Sequence, residues 1–489
     1  MNEKNVQGFK DACYDYLSSY ALTELRVYGR KVGVENPTIA SKETLLTDIV
    51  AVLSGEKPPV KPSKRGAPVK SDHFNPQIEV RISELRYVYG MGFTERDRSN
   101  LLAATSEGLF ARSPDLDAAR AAEEGVSPYF TGQLETVDGI SCLIPLDGDY
   151  TKEKAVVSQE VLQAYRLRDG DVIAAKVKDH YSVLVVTEIM SINGVEAGQE
   201  TRYTFGDAPA VTPNVSITFS EDAGNRYPEA RFVDWFAPMG YGQRCLIYSP
   251  PKSGKTSFAL RLVDSLYDGG AECEKFALLI GQTPETVFLY KEAFGDENVV
   301  ARSYDDSPEQ QVSAVEFMIK RVKRYMEMSK NVVLFIDSFT EIAKAYEDFG
   351  IFDDGKRLPS GISTDTLRRL KQLFGLARAT ERHGSVTVIG THSTKTGNPM
   401  DDDIFTALRS IANCEIALSE ELARRRVFPA IDLSQTFTCE ASLLMTRARV
   451  ESDYVIRNRL LPKYPNEVRE AVLSSLEYEE FFQKVSKLP

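Results

Sequence analysis

The chain has 489 residues, 42% of them hydrophobic and 27% charged, enough for about three domains of ~150 residues, each with its own core. Its net charge of −12 leaves no global basic field, so any nucleic-acid contact needs a local patch. Six scattered cysteines without a C-x-x-C pair, and four histidines, argue against structural zinc and for free thiols in a reducing cytoplasm. The start M-N-E-K-N-V-Q-G-F-K has no signal-like apolar core, and no run reaches membrane-spanning length.

Residues 1–55 are predicted to be a helical unit. Leu45, Leu46, Ile49, Val50 and Leu53 recur at helical spacing, with Ser41 as N-cap and Gly55 as stop. Residues 54–70 hold four prolines and five basic residues against one Glu, the composition of a stiff solvated linker, bounded here as 56–77. Its charge can also touch nucleic-acid phosphates. Residues 78–128 read as a helical or irregular insertion without a legible role.

From Tyr129 short β-like runs follow: Thr131–Leu134, Ile140–Ile144, Ala155–Val157, Val172–Val177 and Tyr181–Val186. Asp-Gly turns at 138–139, 147–148 and 169–170 separate them. Five strands in so short a span predict a small barrel of oligonucleotide-binding type over 129–190. Such barrels also serve as spacers, so the fold alone does not establish RNA binding.

After a connector at 191–238, residues 239–489 alternate strand and helix. Phe276–Ile280, Val332–Ile336, Val386–Ile389 and Glu415–Leu418 read as buried parallel strands, with helices such as Gln310–Met328 and Thr364–Thr380 between them. The segment S-P-P-K-S-G-K-T-S at 249–257 sits between the apolar run Cys245–Tyr248 and the helix-like Phe258–Val263. Strand, tight loop and helix in that order is the setting of a phosphate-binding loop. Gly254 allows close backbone approach, Lys255 can reach the outer phosphates, and the Thr256 hydroxyl can bind Mg²⁺. Ser249 stands where the general pattern asks for Gly.

The strand Asn331–Asp337 ends in a carboxylate able to hold the Mg²⁺ water shell beside that loop. Alone, a strand-terminal Asp is usually a turn residue or cap. Gln282 occupies the tip of another strand; a glutamine can align a water but cannot take its proton.

At this point the words become specific. Pro250-Pro251-Lys252-Ser253-Gly254-Lys255-Thr256 resembles the P-P-K-A-G-K-T loop of the bacterial transcription termination factor Rho family. Pro238-Met239-Gly240-Tyr241-Gly242-Gln243-Arg244 resembles its P-I-G-R-G-Q-R, and Leu334–Thr340 resembles its metal strand. Arg426-Val427-Phe428-Pro429-Ala430-Ile431-Asp432 matches the family word R-V-F-P-A-I-D throughout. Leu22-Thr23-Glu24-Leu25 weakly resembles the family's opening helix.

The resemblance implies a multidomain chain: a RecA-like P-loop α/β ATPase domain preceded by an OB-like barrel and an N-terminal helical unit. It implies a hexameric, cytoplasmic, RNA-dependent ATPase and helicase that works on nascent RNA and RNA polymerase, using ATP and Mg²⁺. By the same resemblance Gly240, Gly242, Gln243, Arg244, Lys252, Ser253, Gly254, Lys255, Thr256, Ser257, Thr283 and Phe428 are ATP contacts. Phe428 is then the adenine-stacking ring, Thr256 and Asp337 hold the metal, and Lys356 is the basic residue of a pore loop. Tyr181 is a candidate RNA-stacking residue, although a buried strand tyrosine reads equally well.

The departures fall on functional positions. The family's catalytic Glu is Gln282, the Arg beside it is Thr283, and the arginine finger falls on Cys439, with Arg447 or Arg449 as possible substitutes. The barrel's aromatic G-F-G-F-L-R is Gly139-Ile140-Ser141-Cys142-Leu143-Ile144, and the Lys of the second pore loop is Pro399. Two expectations result: a Rho-type ATPase with weakened hydrolysis, or an ATP-binding relative that hydrolyses poorly and serves as a subunit or regulator of a mixed ring.

Overall fold

A computed structural model of the chain describes residues 3–60, 76–88, 129–137, 139–180, 183–199, 201–206, 209–219, 226–268, 272–350, 355–381 and 383–489. Tyr181, most of the proline-rich linker and residues 89–128 lie outside the described residues.

Three helices, Glu3–Ser18, Leu22–Val32 and Lys42–Leu53, open the chain. Ser41 accepts from the Thr44 amide (3.3 Å), the N-cap contact that satisfies a free first-turn N–H. A fourth helix, Pro76–Val88, adds Ile78, Ile82 and Leu85 to a core built on Phe9, Leu25, Leu45 and Ile49.

Strands β1 (Tyr129–Val137), β2 (Ile140–Ile144), β3 (Ala155–Val156), β4 (Val172–His180) and β5 (Val183–Ile192) run in the order β3-β2-β1-β4-β5. The short β3 pairs in parallel with β5 and closes the barrel. β6 (Val195–Glu196) extends β5 as a hairpin. Leu134, Leu143, Ile173, Val177 and Ile192 fill the interior. The opposite face of β2 is covered as well: Cys142 and Ile144 share a core with Phe317 and Met318 of the next domain. The strand that carries the aromatic platform in the family is therefore sealed here.

Buried polar groups join barrel to ATPase domain. Gln133 donates to the Phe317 carbonyl (2.8 Å) and accepts from Arg321 (2.9 Å), which also donates to the Leu146 carbonyl (2.5 Å). Burial pushes the Arg321 guanidinium down to about 10. Removing any partner would strand a buried donor, so this junction is held by satisfied hydrogen bonds as much as by apolar area.

Short strands follow, β7 (Ala210–Val211), β8 (Ser216–Ile217) and β9 (Met239–Gly240), the last two paired with each other. Then come β10 (Arg244–Ser249), β11 (Glu274–Gln282), β12 (Val299–Ser303), β13 (Asn331–Asp337), β14 (Ala379–Thr380), β15 (Ser385–Ser393), β16 (Cys414–Ala417) and β17 (Phe437–Thr438). The main sheet has the order β12-β11-β13-β15-β10-β16-β17, parallel except for β17. Its central strands are apolar on both faces because helices cover both sides. This is a RecA-like domain behind a barrel and a helical unit.

Two details differ from the sequence expectations. The helix expected over 364–380 stops at Phe374, where Gly375 ends it, and Ala379–Thr380 becomes β14, paired with β7. β12 has no counterpart among the sequence expectations, because Val299-Val300-Ala301 is too short an apolar run to separate from a loop. Among the described residues no helix is long and apolar enough to cross a membrane.

Candidate nucleotide site

Parallel strands expose their C-terminal ends together, and ligands of such sheets bind there. β10, β15, β13 and β11 lie side by side and end in Ser249, Ser393, Asp337 and Gln282. The loop Pro250–Gly254 leaves β10 and enters the helix Lys255–Asp268. Lys252 (φ 63°) and Gly254 (φ 87°) take left-handed backbone there. Ser253 Oγ donates to the Pro250 carbonyl (2.9 Å) and pins the turn. A Cβ built on Gly254 would meet only the edge of the Phe428 ring, at 3.9 Å, so the space over the loop is open. The helix start turns its free N–H groups and positive dipole end toward that space.

Lys255 Nζ rests on Ser249 Oγ (3.1 Å) and the Ser249 carbonyl (3.5 Å). The serine that replaces the usual glycine thus becomes a support for the lysine. Burial pulls the Lys255 ammonium below its ordinary value, and the nearby Asp337 charge opposes this. Asp337 is itself buried, and desolvation raises its carboxyl above the usual range. Hydroxyls from Thr391 (2.7 Å), Thr256 (3.2 Å) and Tyr290 (3.4 Å) donate to it and act the other way. The Thr256 hydroxyl and the Asp337 carboxylate, adjacent to each other beside an open phosphate cradle, are the donor set a hard divalent cation takes.

Gln282 lies between the tips of β11 and β13, its Nε2 donating to the Asp337 carbonyl (3.2 Å). Thr283 caps the helix Pro284–Phe294 by accepting from the Thr286 amide (3.4 Å). A cavity of about 540 Å³ continues from the loop, lined by Lys252, Ser253, Gly254, Ser257, Phe428 and, unexpectedly from sequence, Glu229, Arg261, Arg424 and Arg426. The Phe428 ring is 51% exposed and free to take a stacking partner.

Gly240, Gly242, Gln243 and Arg244 are not brought to this loop. They sit at the opposite end of β10, about 17 Å away at the rise of a strand. Gly242 has φ 96°, and a Cβ there would strike the Ala379 amide nitrogen at 2.3 Å. Gln243 donates to the Asn413 carbonyl (2.9 Å), and Arg244 to that of Ile411 (2.6 Å). Within one subunit these are structural contacts. The same end holds Cys439, which lines a separate cavity of about 350 Å³ with Gln243, Arg244 and Arg378.

Cys439 is exposed, and its thiol is raised mainly by desolvation. Arg449 is engaged within the chain: it donates to the Asp234 carbonyl (2.7 Å) and lies 4.0 Å over the Tyr478 ring. Arg447 is exposed and pairs with Glu451 at 3.1 Å. Lys356 lies exposed on a hairpin whose carbonyl accepts from Thr364 (2.9 Å). Pro399 is the first residue of a helix capped by Asn398, a position where the missing N–H costs nothing.

Residues 229–438 match the nucleotide-binding domain of the ATP synthase alpha/beta family. Transcription termination factor Rho of Cereibacter sphaeroides is 31% identical over 364 residues, covering 73% of this chain and 86% of the relative. The Bacillus subtilis protein of the same name is 31% identical over 340 residues, covering 68% and 78%. The one from Escherichia coli K12 is 30% identical over 365 residues, covering 73% and 86%. Among solved structures, a prototypical ATPase from the type III secretion system of pathogenic bacteria covers 62% of this chain and 94% of its own at a TM-score of 0.47 and 19% identity. The loop at 250–256 and the Phe428 word both fall inside the matched nucleotide-binding domain, and with 30–31% identity to these relatives over about 70% of its length the chain belongs to the transcription termination factor Rho family.

Proposed function

We propose that the chain is a Rho-type ring subunit that binds Mg²⁺–ATP and acts on RNA in transcription termination, turning ATP over slowly. The carrying observation is the open cradle over Gly254 with Lys255, Thr256 and Asp337 beside it. Phosphates would lie on the helix N-terminus with Lys252 and Lys255. Magnesium, held between Thr256 and Asp337, would neutralise charge on the outer phosphates. The base would stack on Phe428.

Slow turnover follows from Gln282 at the β11 tip and from Cys439, which stands at the opposite end of β10 and could meet a nucleotide only from a neighbouring subunit. Gln282 cannot accept a proton from an attacking water, and Cys439 offers no charge to the transferred group. An arginine finger contributes roughly 10³–10⁵ in rate where it acts. RNA contact is assigned to the exposed Lys356 hairpin within a hexamer or mixed ring, and release of the transcript would involve RNA polymerase. A second reading, a subunit that holds ATP without cycling it beside an active relative, is favoured by the hydrogen bond that ties Gln282 to Asp337.

Steady-state ATP hydrolysis with and without RNA, run alongside a nucleotide titration, tests both. RNA-stimulated turnover supports the first reading. Background turnover with retained ATP binding supports the second, and absence of ATP uptake overturns both.

A further inference from the structure

The cavity of about 350 Å³ at the start of β10 collects positive charge. Close backbone approach builds it: Gly242 packs on the Ala379 amide, and β14 pairs with β7, whose Ala210 and Val211 form a wall. Arg244 and Arg378 both line it. Arg244 donates from Nε to the Ile411 carbonyl (2.6 Å) and from Nη1 to the Ala377 carbonyl (3.3 Å), which sets its guanidinium beside Arg378. Arg378 donates from Nη2 to the Gly375 carbonyl (3.4 Å) and lays its flat face on Phe205, with its central carbon 4.2 Å from the ring centre.

Among the described residues neither arginine is paired with a carboxylate. Glu440, the one acid in the lining, is exposed and bridges to neither. Burial lowers both guanidinium values, and the Arg244 charge lowers that of Arg378 further. Asn413 adds a third donor. Its Oδ1 accepts from the Arg244 amide (2.7 Å), which fixes the side chain and leaves Nδ2 to donate. Nη2 of Arg244, Nε and Nη1 of Arg378 and Nδ2 of Asn413 have no partner among the described residues, and none of the four is sealed from solvent. Two like charges at one cavity repel, and an anion between them turns that repulsion into attraction. Guanidinium forks match phosphoryl oxygens, and a tetrahedral group accepts from several walls at once.

We propose that this cavity is an anion site for inorganic phosphate or diphosphate, held between the Arg244 and Arg378 guanidiniums and the Asn413 amide. It stands at the opposite end of β10 from the phosphate loop, and one chain supplies every donor. It therefore depends on neither the nucleotide reading nor a ring. Cys439 lines the same cavity and is the exposed one of the six cysteines, so its thiol reports on occupancy.

The test alkylates the full chain with iodoacetamide, a neutral reagent, and follows the rate at Cys439 by peptide mass spectrometry as phosphate or diphosphate is added. Either anion should slow the reaction several-fold and saturably, and sodium chloride at equal ionic strength should not. Arg378→Gln should raise the half-protecting concentration by about tenfold to a hundredfold, the reach of one hydrogen bond to a charged group. Arg378→Lys, which keeps the charge without the fork, should fall between. Lys255→Ala, which disables the phosphate loop, should leave protection unchanged. Lack of protection in the unmodified chain overturns the proposal, as does equal protection by chloride or full protection in Arg378→Gln. Protection lost in Lys255→Ala also overturns it, because the anion then sits on the phosphate loop. Protection by ATP alone does so too, giving the arginines to a nucleotide held by a second copy.

Discussion

The Gln282 side chain donates from Nε2 to the main-chain carbonyl of Asp337 at 3.2 Å, tying the tips of β11 and β13 together. A glutamate there cannot donate, and its charge would lie close to the Asp337 carboxylate. Two carboxylates near one cation site repel until a cation or an arginine offsets them. Gln282→Glu alone should therefore leave ATP turnover near its starting level. Combined with Cys439→Arg it should rise by a factor of up to roughly 10³. Single-turnover assays on both variants check this, and no rise in the double variant would refute the assignment of the two positions.

The parts legible in sequence were those set by local order. The loop at 249–257 announced itself by strand, turn and helix, and Asp337 by its place at the end of an apolar run. Barrel strands were visible as runs, yet closure by the two-residue β3 was not, because a parallel pairing across thirty residues leaves no local mark. Gly240 to Arg244 shared a family word but stand at the far end of β10, since a strand moves its two ends apart whatever the word. Glu229 was hidden for a different reason. An acid in the first turn of a helix is ordinary dipole compensation, and only the meeting of helix 228–236, helix 255–268 and the chain near Phe428 turns it into a cavity wall.

The Phe428 ring should be separable from the phosphate contacts in binding experiments. Phe428→Ala removes a stacking face that every base can use, so it should weaken ATP and purine riboside triphosphate alike, by about tenfold to a hundredfold. Competition titrations against a fluorescent ATP analogue measure this. Weakening of ATP alone would show that the ring does not stack on the base.

Asp337 trades stability for ligand binding. Burial raises its folded value above that of the unfolded chain. Its stability contribution is thus full at low pH and is lost as pH rises through the raised value, where the buried group must ionise. Asp337→Asn removes that penalty, so the nucleotide-free variant should melt higher than the original at pH 8. The same change should abolish the extra stabilisation by Mg²⁺–ATP, which for the original is ~2.7 kcal/mol at 100 times the dissociation constant. Thermal melts with and without nucleotide check both halves. A lower nucleotide-free melting temperature would contradict the argument.

His392, next to Thr391 at the end of β15, supplies a pH dependence of the opposite sense. Its ring is buried between a Thr340 contact at Nδ1 (3.1 Å) and the Asp401 carbonyl at Nε2 (3.0 Å), and stacks on Phe405. Desolvation brings it down from 6.5 to about 4, with the Lys255 charge adding to the effect and Asp401 opposing it. With a depressed folded value, the unfolded chain takes the proton first as pH falls. Stability should drop progressively from pH 6.5 to about 4, by on the order of 3 kcal/mol from this residue if the full shift is realised. His392→Gln keeps hydrogen-bonding atoms without the titration, so urea unfolding of the variant should show a shallower loss across that window. Equal slopes in the two proteins would mean that the ring already carries its proton in the folded state.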